Sequence, residues 1–267
     1  MTDSINKLLA EALDSILPSR CVICGASKMP QENAMVLAEQ YKKCATRAHK
    51  YYPDVVSSVE LNFCFACISS LVPVPIEKRW LLCLSEPFTG DEIPGLTLYV
   101  PFTYNSVVSS GIRQMKFAGK YEIAIFYGML LGRSLRSDKV EVDAIIPVPL
   151  SSKRLSERHY NQAMLMAISC ACFLNKPLLA DVLRRSKNTK RQTECKSNAH
   201  RAENVKSAFE VSDEWSIEGM RILLVDDVAT TGNTLHEGSL ALFERGAENV
   251  LCCAFASNRV VKNNEIF

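Results

Sequence analysis

Short apolar runs alternate with longer amphipathic stretches along most of this chain. Ile222-Leu-Leu-Val225 and Val250 to Phe255 are continuous apolar runs, the pattern of strands buried on both faces of a sheet. Asp143 to Leu150 is a third buried strand, and Pro147 and Pro149, which cannot donate to a ladder, confine it to a strand end. Leu96 to Val100 alternates like a further strand. Between them, residues 104–119 read as a helix ending near Gly119, and residues 121–135 as a second. Arg158-His159-Tyr160-Asn161-Gln162 opens a helix running to about Leu174. Another opens at about Gly232, carries Leu235, Leu240, Leu242 and Phe243, and has Gly246 at its C′ position. Strands and helices taken in turn predict an α/β class.

The ends and joints differ in pattern. Ile5, Leu8, Leu9, Ala12, Leu13, Ile16 and Leu17 form an apolar stripe over residues 4–17, with Thr2, Asp3 and Ser4 as N-cap candidates and Pro18 as the stop. That stripe is expected to dock within the protein rather than on a partner. Residues 72–95, with Pro73, Pro75, Pro87 and Pro94, read as a linker, and residues 257–267 as a polar tail.

The chain has 267 residues and a net charge of +2, so the molecule as a whole carries no strong nucleic-acid or membrane footprint. No apolar run approaches bilayer length, the longest being Ala163 to Leu174 with Ser169 inside it, so no membrane insertion is expected. Met-Thr-Asp-Ser lacks a basic n-region and apolar core, and the expected compartment is the cytosol.

Eleven cysteines in such a chain read as metal ligands plus buried thiols. Cys21-Val-Ile-Cys24-Gly25 and Cys64-Phe-Ala-Cys67 are two C-x-x-C knuckles, the usual ligand set of one tetrahedral structural Zn²⁺. The stretch between them, residues 25–63, is longer than a typical ribbon loop, and Cys44, His49 or Cys83 stand as alternative ligands. Four reduced thiols without metal are the competing reading; a redox C-x-x-C lacks its strand–helix context. Cys170, Cys172, Cys252 and Cys253 lie in apolar runs and read as small hydrophobes, while Cys195 has no assigned role.

The chemistry concentrates after Val225. Asp226 and Asp227 follow the apolar run, then Val228, Ala229, Thr230, Thr231, Gly232, Asn233 and Thr234 lead into the helix. A turn feeding a helix N-terminus presents unsatisfied amides and a favourable dipole to an anion, and the Thr hydroxyls add donors. Carboxylates repel phosphate but accept from sugar hydroxyls. A ribose 5-phosphate fits both halves. No P-loop and no G-x-G-x-x-G after a strand is present. Ser151, Ser152, Lys153 and Arg154 after the strand at 143–150 read as a loop forming a second anion site, and Arg184, Arg185, Lys187, Lys190 and Arg191 as a mobile hood, a nucleic-acid track or a solvated loop.

Val-Asp226-Asp227-Val-Ala-Thr230-Thr231-Gly232-Asn-Thr234 resembles the phosphoribosyl pyrophosphate (PRPP) loop of type I phosphoribosyltransferases. A narrower resemblance adds Tyr104, Met115-Lys116-Phe117-Ala-Gly119, Ile-Pro147-Val-Pro149-Leu150, Arg158-His-Tyr-Asn161-Gln162, Arg185-x-Lys-x-Thr189-x-x-Gln192 and Arg201-x-x-Asn204-x-x-x-x-Phe209. In that order these are similar to the ComF family, which includes GntX-type proteins. Its members usually carry Gly-Phe where this chain has His159-Tyr160, and many carry further C-x-x-C pairs near position 83.

The resemblance implies a type I phosphoribosyltransferase-like fold with a largely parallel central sheet, preceded by a small zinc-binding lobe. The expected division is an N-terminal helix plus zinc-ribbon-like lobe at 1–90, a phosphoribosyltransferase-like domain at 96–256 and the tail. It implies catalytic roles for Asp226 and Asp227, and PRPP contacts from residues 228–234, Leu150, Ser151, Lys153, Arg154, Arg158 and Lys116. Mg²⁺ would accompany PRPP, and one structural Zn²⁺ would sit on Cys21, Cys24, Cys64 and Cys67. Two functions of different class follow. One is PRPP binding, with or without transfer of the sugar; the other is a non-catalytic module handling single-stranded DNA beside a translocation partner in natural competence.

Overall fold

The computed structural model describes residues 20–26, 34–82, 96–185 and 208–257. The helix expected at 4–17, Cys83, Cys195, the basic run beyond Arg185 and the tail beyond Ser257 lie outside these residues. In chain order the elements are α1 (Ala34–Tyr51), α2 (Phe65–Ser69), a 3-10 turn (Ile76–Lys78), β1 (Trp80–Leu82), β2 (Leu96–Tyr99), β3 (Phe102–Thr103), α3 (Ser106–Phe117) and α4 (Tyr121–Ser137). There follow β4 (Ala144–Pro147), α5 (Ser152–Arg158), α6 (Gln162–Leu174), β5 (Leu183–Arg185), β6 (Phe209–Val211), β7 (Arg221–Ala229), α7 (Asn233–Glu244) and β8 (Asn249–Ser257).

The main sheet runs β1-β2-β8-β7-β4, with β3 also on β8. All its pairings are parallel except β1 on β2. β7 and β8 pair along nearly their whole length, from Arg221↔Asn249 to Ala229↔Ser257, whereas β4 leaves β7 at Pro147↔Val225. Pro147 is the last ladder residue of β4, as its missing N–H requires.

Both faces of the central strands are covered, which is why they read as unbroken apolar runs. Leu223, Val225, Leu251, Cys253 and Phe255 pack with α4 and α6; Ile222, Leu224, Val250, Cys252 and Ala254 pack under α7. α4 and α6 approach to backbone contact at Gly128, where an added Cβ would lie 2.5 Å from Met166 Cα. Phe63 stacks on Phe126 of α4 at 4.2 Å, and the cysteine knuckles share the same apolar cluster, so the N-terminal segment borrows α4 and α6 for its core.

Two expectations change here. Trp80–Leu82, inside the stretch read as a linker, form the antiparallel edge of the main sheet, and a strand of three residues is too short for its period to be visible. Residues 152–154, read as part of a loop, begin α5: the Ser151 hydroxyl caps the Arg154 N–H at 3.4 Å, and the polar residues that follow are good helix formers without an apolar stripe.

Candidate functional site

β7 continues past the point where β4 stops. Residues 222 and 224 face the α7 side, and 223 and 225 the α4 side, but further on Val228 packs on the α4 side and Ala229 on the α7 side, out of step with that alternation. Between them, Asp226 and Asp227 meet different groups: Asp227 pairs with Lys116, and Asp226 feels the charge of Arg185. Both carboxylates lie toward the C-terminal end of β7, which continues to Ala229. The Ser257 hydroxyl holds the Ala229 carbonyl at 2.7 Å and fixes the strand's end.

Asp227 is 6% exposed, and its two oxygens lie 2.8 and 3.0 Å from Lys116 Nζ. Lys116 ends α3, and the Tyr160 hydroxyl and Gln162 Nε2 both donate to the carbonyl of its neighbour Met115. The Arg158–Gln162 segment thus locks the helix end that carries Lys116. His159 adopts φ 64, a left-handed conformation that favours glycine, which accounts for the glycine usual there in the resembling family.

Asp226 is half-buried and accepts the Asp227 N–H at 2.8 Å. Burial first, then the charge of Asp227, pushes its carboxyl up to about 7, against the pull of the Asp227 amide, Lys116 and Arg185. Thr230 and Thr231 are exposed in the turn that follows. Gly232 takes φ 84 as the N-cap of α7 and offers no side-chain cap, while the Thr231 hydroxyl accepts the Asn233 N–H at 3.4 Å. The amides of Thr234 and Leu235 precede the first i−4 carbonyl, so this end suits an anion.

Arg185 completes the group. Its Nε donates to the Pro149 carbonyl at 3.0 Å, and its guanidinium lies 4.7 Å over the Phe209 ring. Burial, then the charge of Arg154 on α5, lowers its pKa, while Asp226 and Glu237 raise it. The structure therefore gathers Asp226, Asp227, Lys116, Arg154 and Arg185 around the end of β7. Leu150 and Ser151 are half-buried beside them, and Lys153 is exposed on α5. Arg158 has its guanidinium 5.6 Å over the exposed ring of Phe117, next in sequence to Lys116, and donates to Gln162 Oε1 at 3.1 Å. Arg185 was legible in a basic run and in the Arg185-x-Lys-x-Thr189 resemblance; its placement depends on the β5–β6 ribbon, which pairs Arg185 with Phe209.

A second constellation lies in the N-terminal segment. The sulfurs of Cys21, Cys24, Cys64 and Cys67 all fall within 4.8 Å of one another, with Cys24 and Cys64 at 3.6 Å. A tetrahedral Zn²⁺ with bonds near 2.3 Å separates its sulfurs by about 3.8 Å, so the four could hold one ion. Without an ion, burial and the crowded neighbouring sulfurs push the Cys67 thiol up. A dication would remove that competition for protons. The alternatives are engaged elsewhere: Cys44 faces Cys172, and His49 Nδ1 bonds the Val56 carbonyl at 2.8 Å. Among the described residues no helix is long and apolar enough to cross a membrane.

Known proteins resemble this chain over parts of its length. Residues 134–265 match the family model described as the phosphoribosyl transferase domain. Competence protein F of Haemophilus influenzae is 34% identical over 174 residues, covering 63% of this chain and 73% of that protein. Competence protein ComFC of Bacillus subtilis is 33% identical over 148 residues, covering 54% of this chain and 57% of its own length. DNA utilization protein YhgH of Salmonella typhimurium is 30% identical over 173 residues, covering 63% and 73%. Among solved structures, glutamine PRPP amidotransferase from B. subtilis, complexed with ADP and GMP, aligns at TM-score 0.39 and 21% identity over 53% of this chain and 30% of that one.

Proposed function

Because this chain belongs to the ComF family and carries a type I phosphoribosyltransferase-like fold with a parallel central sheet, we propose that it binds PRPP or a related ribose 5-phosphate at the C-terminal end of β7. One observation carries the reading: the α7 N-terminus, opened by Gly232 with the Thr234 and Leu235 amides ahead of the first helical carbonyl, stands directly beside two carboxylates. The 5-phosphate takes the amides and hydroxyls of residues 230–234, and Asp226 and Asp227 face the ribose hydroxyls. Arg185, whose proton affinity burial and the charge of Arg154 lower, holds the pyrophosphate end together with Arg154, with Lys153 and Lys116 at its margin. Asp226, which unlike Asp227 makes no ion pair among the described residues, is the carboxylate fitted to a Mg²⁺ carried by PRPP. Bound Mg²⁺ supplies charge neutralisation for a pyrophosphate leaving group.

If the sugar is transferred, positive charge develops at its C1, and Asp226 and Asp227 stabilise it electrostatically. The working unit in this reading is the domain at 96–256, in a cytosolic setting, with the cysteine lobe as its structural support. Calorimetry with PRPP and Mg²⁺ tests it: wild type binds, and the Asp226→Asn/Asp227→Asn double variant loses binding by at least tenfold. Equal affinity in the two proteins would contradict the assignment. Pyrophosphate release with a panel of amines and nucleobases then decides between binding and transfer.

A second reading rests on a different surface. The relatives are named for competence and DNA utilization. Phe117, 78% exposed under Arg158 and near the cations of α5, offers the aromatic platform on which a single-stranded base could stack. Such binding, beside a DNA-translocation partner, is compatible with a PRPP site. Isotherms with single-stranded DNA at two salt concentrations test it, because phosphate contacts require affinity to fall as salt rises.

A further inference from the structure

Away from the β7 site, helix α1 lays one of its cysteines against α6. Cys44 is fully buried on α1, one turn before the residue that touches Cys172, and Cys172 is half-buried near the C-terminal end of α6. Arg47, one turn along α1, brings its Nη1 to 3.9 Å from the same sulfur. The charge of Lys43, also on α1, acts on it from further off. Ser169 bonds Cys44, and Cys170 points away, its thiol donating to the Gly128 carbonyl at 3.6 Å. From α4, Arg136 approaches at the Phe173 carbonyl.

The two cysteines lie 128 positions apart in sequence, in two different helices, and neither belongs to a C-x-x-C pair. Nothing in the β7 site or the zinc cluster uses them. Cys172 lies ten residues from Gln162, about 15 Å along α6 from the end that supports Lys116.

We propose that Cys172 and Cys44 form a peroxide-sensitive thiol pair, with Cys172 as the attacking sulfur and Cys44 as the resolving one. The division of labour follows from their surroundings. Cys172 is the one that solvent reaches, and it lies beside the Arg47 guanidinium and within the field of Lys43. Its pairing with Cys44, helped by those cations against the effect of burial, brings the Cys172 thiol down to about 6, while the same pairing and burial raise Cys44. The Cys172 thiolate attacks one oxygen of a hydroperoxide; the O–O bond breaks, sulfur is oxidised to the sulfenic acid, and the leaving oxide takes a proton from water. The Cys44 sulfur then attacks the Cys172 sulfur. An S–S bond forms as the S–O bond breaks, and the departing hydroxide takes the Cys44 proton to leave as water. The product staples α1, which packs on both α4 and α6, to the core helix of the α/β body.

The test uses the full chain loaded with zinc and treated with one equivalent of hydrogen peroxide. Free thiols are alkylated and peptides mapped without reduction. The expected result is a cross-linked peptide pair joining Cys44 to Cys172, reversed by dithiothreitol. In Cys44→Ser, Cys172 instead becomes trappable by dimedone. The pH profile of Cys172 alkylation should have its midpoint near 6 and move upward in Arg47→Ala. Peroxide that oxidises the four knuckle cysteines and leaves Cys172 free overturns the proposal. So does an alkylation midpoint at the ordinary thiol value of about 8.5. The wild-type peptide map needs no variant, so misfolding of a variant cannot obscure the outcome.

Discussion

Replacing Asp226 by Asn is expected to stabilise this protein while removing its ligand. In the folded chain the Asp226 carboxyl is pushed from an ordinary value of 3.8 up to about 7, by burial first and by the neighbouring Asp227 charge second. At 1.36 kcal/mol per unit, ionised Asp226 would carry roughly 4 kcal/mol of penalty. The side chain is only half-buried at the open end of the sheet, so solvent screening trims this to about 1–3 kcal/mol. A carboxyl with a raised folded pKa holds its proton more tightly in the folded state. Its contribution to stability is therefore complete below about pH 4 and is lost as pH rises through about 7. Asn cannot ionise and escapes that loss, and its Oδ1 still accepts the Asp227 N–H now held at 2.8 Å. The variant should match wild type near pH 4, diverge between about pH 4 and 7, and then hold a constant advantage. For a chain of this size, 1–3 kcal/mol corresponds to a Tm gain of about 3–8 °C. Thermal melts of both proteins across that pH range decide it. A gain that does not vary with pH, or a loss of stability at pH 8, refutes the electrostatic account.

Tyr121→Phe removes the hydroxyl that accepts the Ser57 and Ser58 amides at 3.1 and 2.9 Å, and urea unfolding should show a loss of about 1–2 kcal/mol. His159→Gly relieves a left-handed residue at φ 64, and the same measurement should show a gain of about 0.5–1 kcal/mol with no change in PRPP affinity. Stripping metal with a chelator, or Cys64→Ser, should release one zinc per chain by elemental analysis and lower Tm by several degrees, because the segment around the knuckles packs on α4 through Phe63. Complete removal of zinc with an unchanged Tm would count against a structural role.

What the sequence disclosed, and what it hid, follows the range of the interactions involved. The strand at 222–225, the α7 start at Gly232 and the two cysteine knuckles are local patterns, and the structure has them where spacing put them. α5 was hidden because a polar helix of seven residues has no apolar period. β1 was hidden because three residues cannot display alternation. The Lys116–Asp227 pair joins residues 111 positions apart, and nothing in either local sequence announces the other. Cys172 lies in an apolar run and reads as a hydrophobe; its neighbours Cys44 and Arg47 arrive from a helix more than a hundred residues earlier. The carboxylates were legible as a pair but their separate partners were not, because Lys116 and Arg185 arrive from distant parts of the chain.

Those separate partners give the two aspartates unequal duties. Asp227 is already neutralised by Lys116, which is itself fixed by the bonds of Tyr160 and Gln162 to the preceding carbonyl. Asp226 keeps a carboxyl whose charge the folded protein disfavours, and Arg185 is disfavoured in the same way by burial and Arg154. A ligand carrying phosphate anions, hydroxyl donors and a divalent cation would relieve both. The phosphates separate the two guanidiniums electrostatically, and the cation lets Asp226 ionise. Under the proposed function, binding should therefore release a proton near pH 7 from the Asp226 side, and the observed heat of PRPP binding in calorimetry should change with the ionisation heat of the buffer. If the binding heat is the same in phosphate and Tris at pH 7, Asp226 does not change its protonation on binding, and the unequal roles assigned to the two carboxylates fall with it.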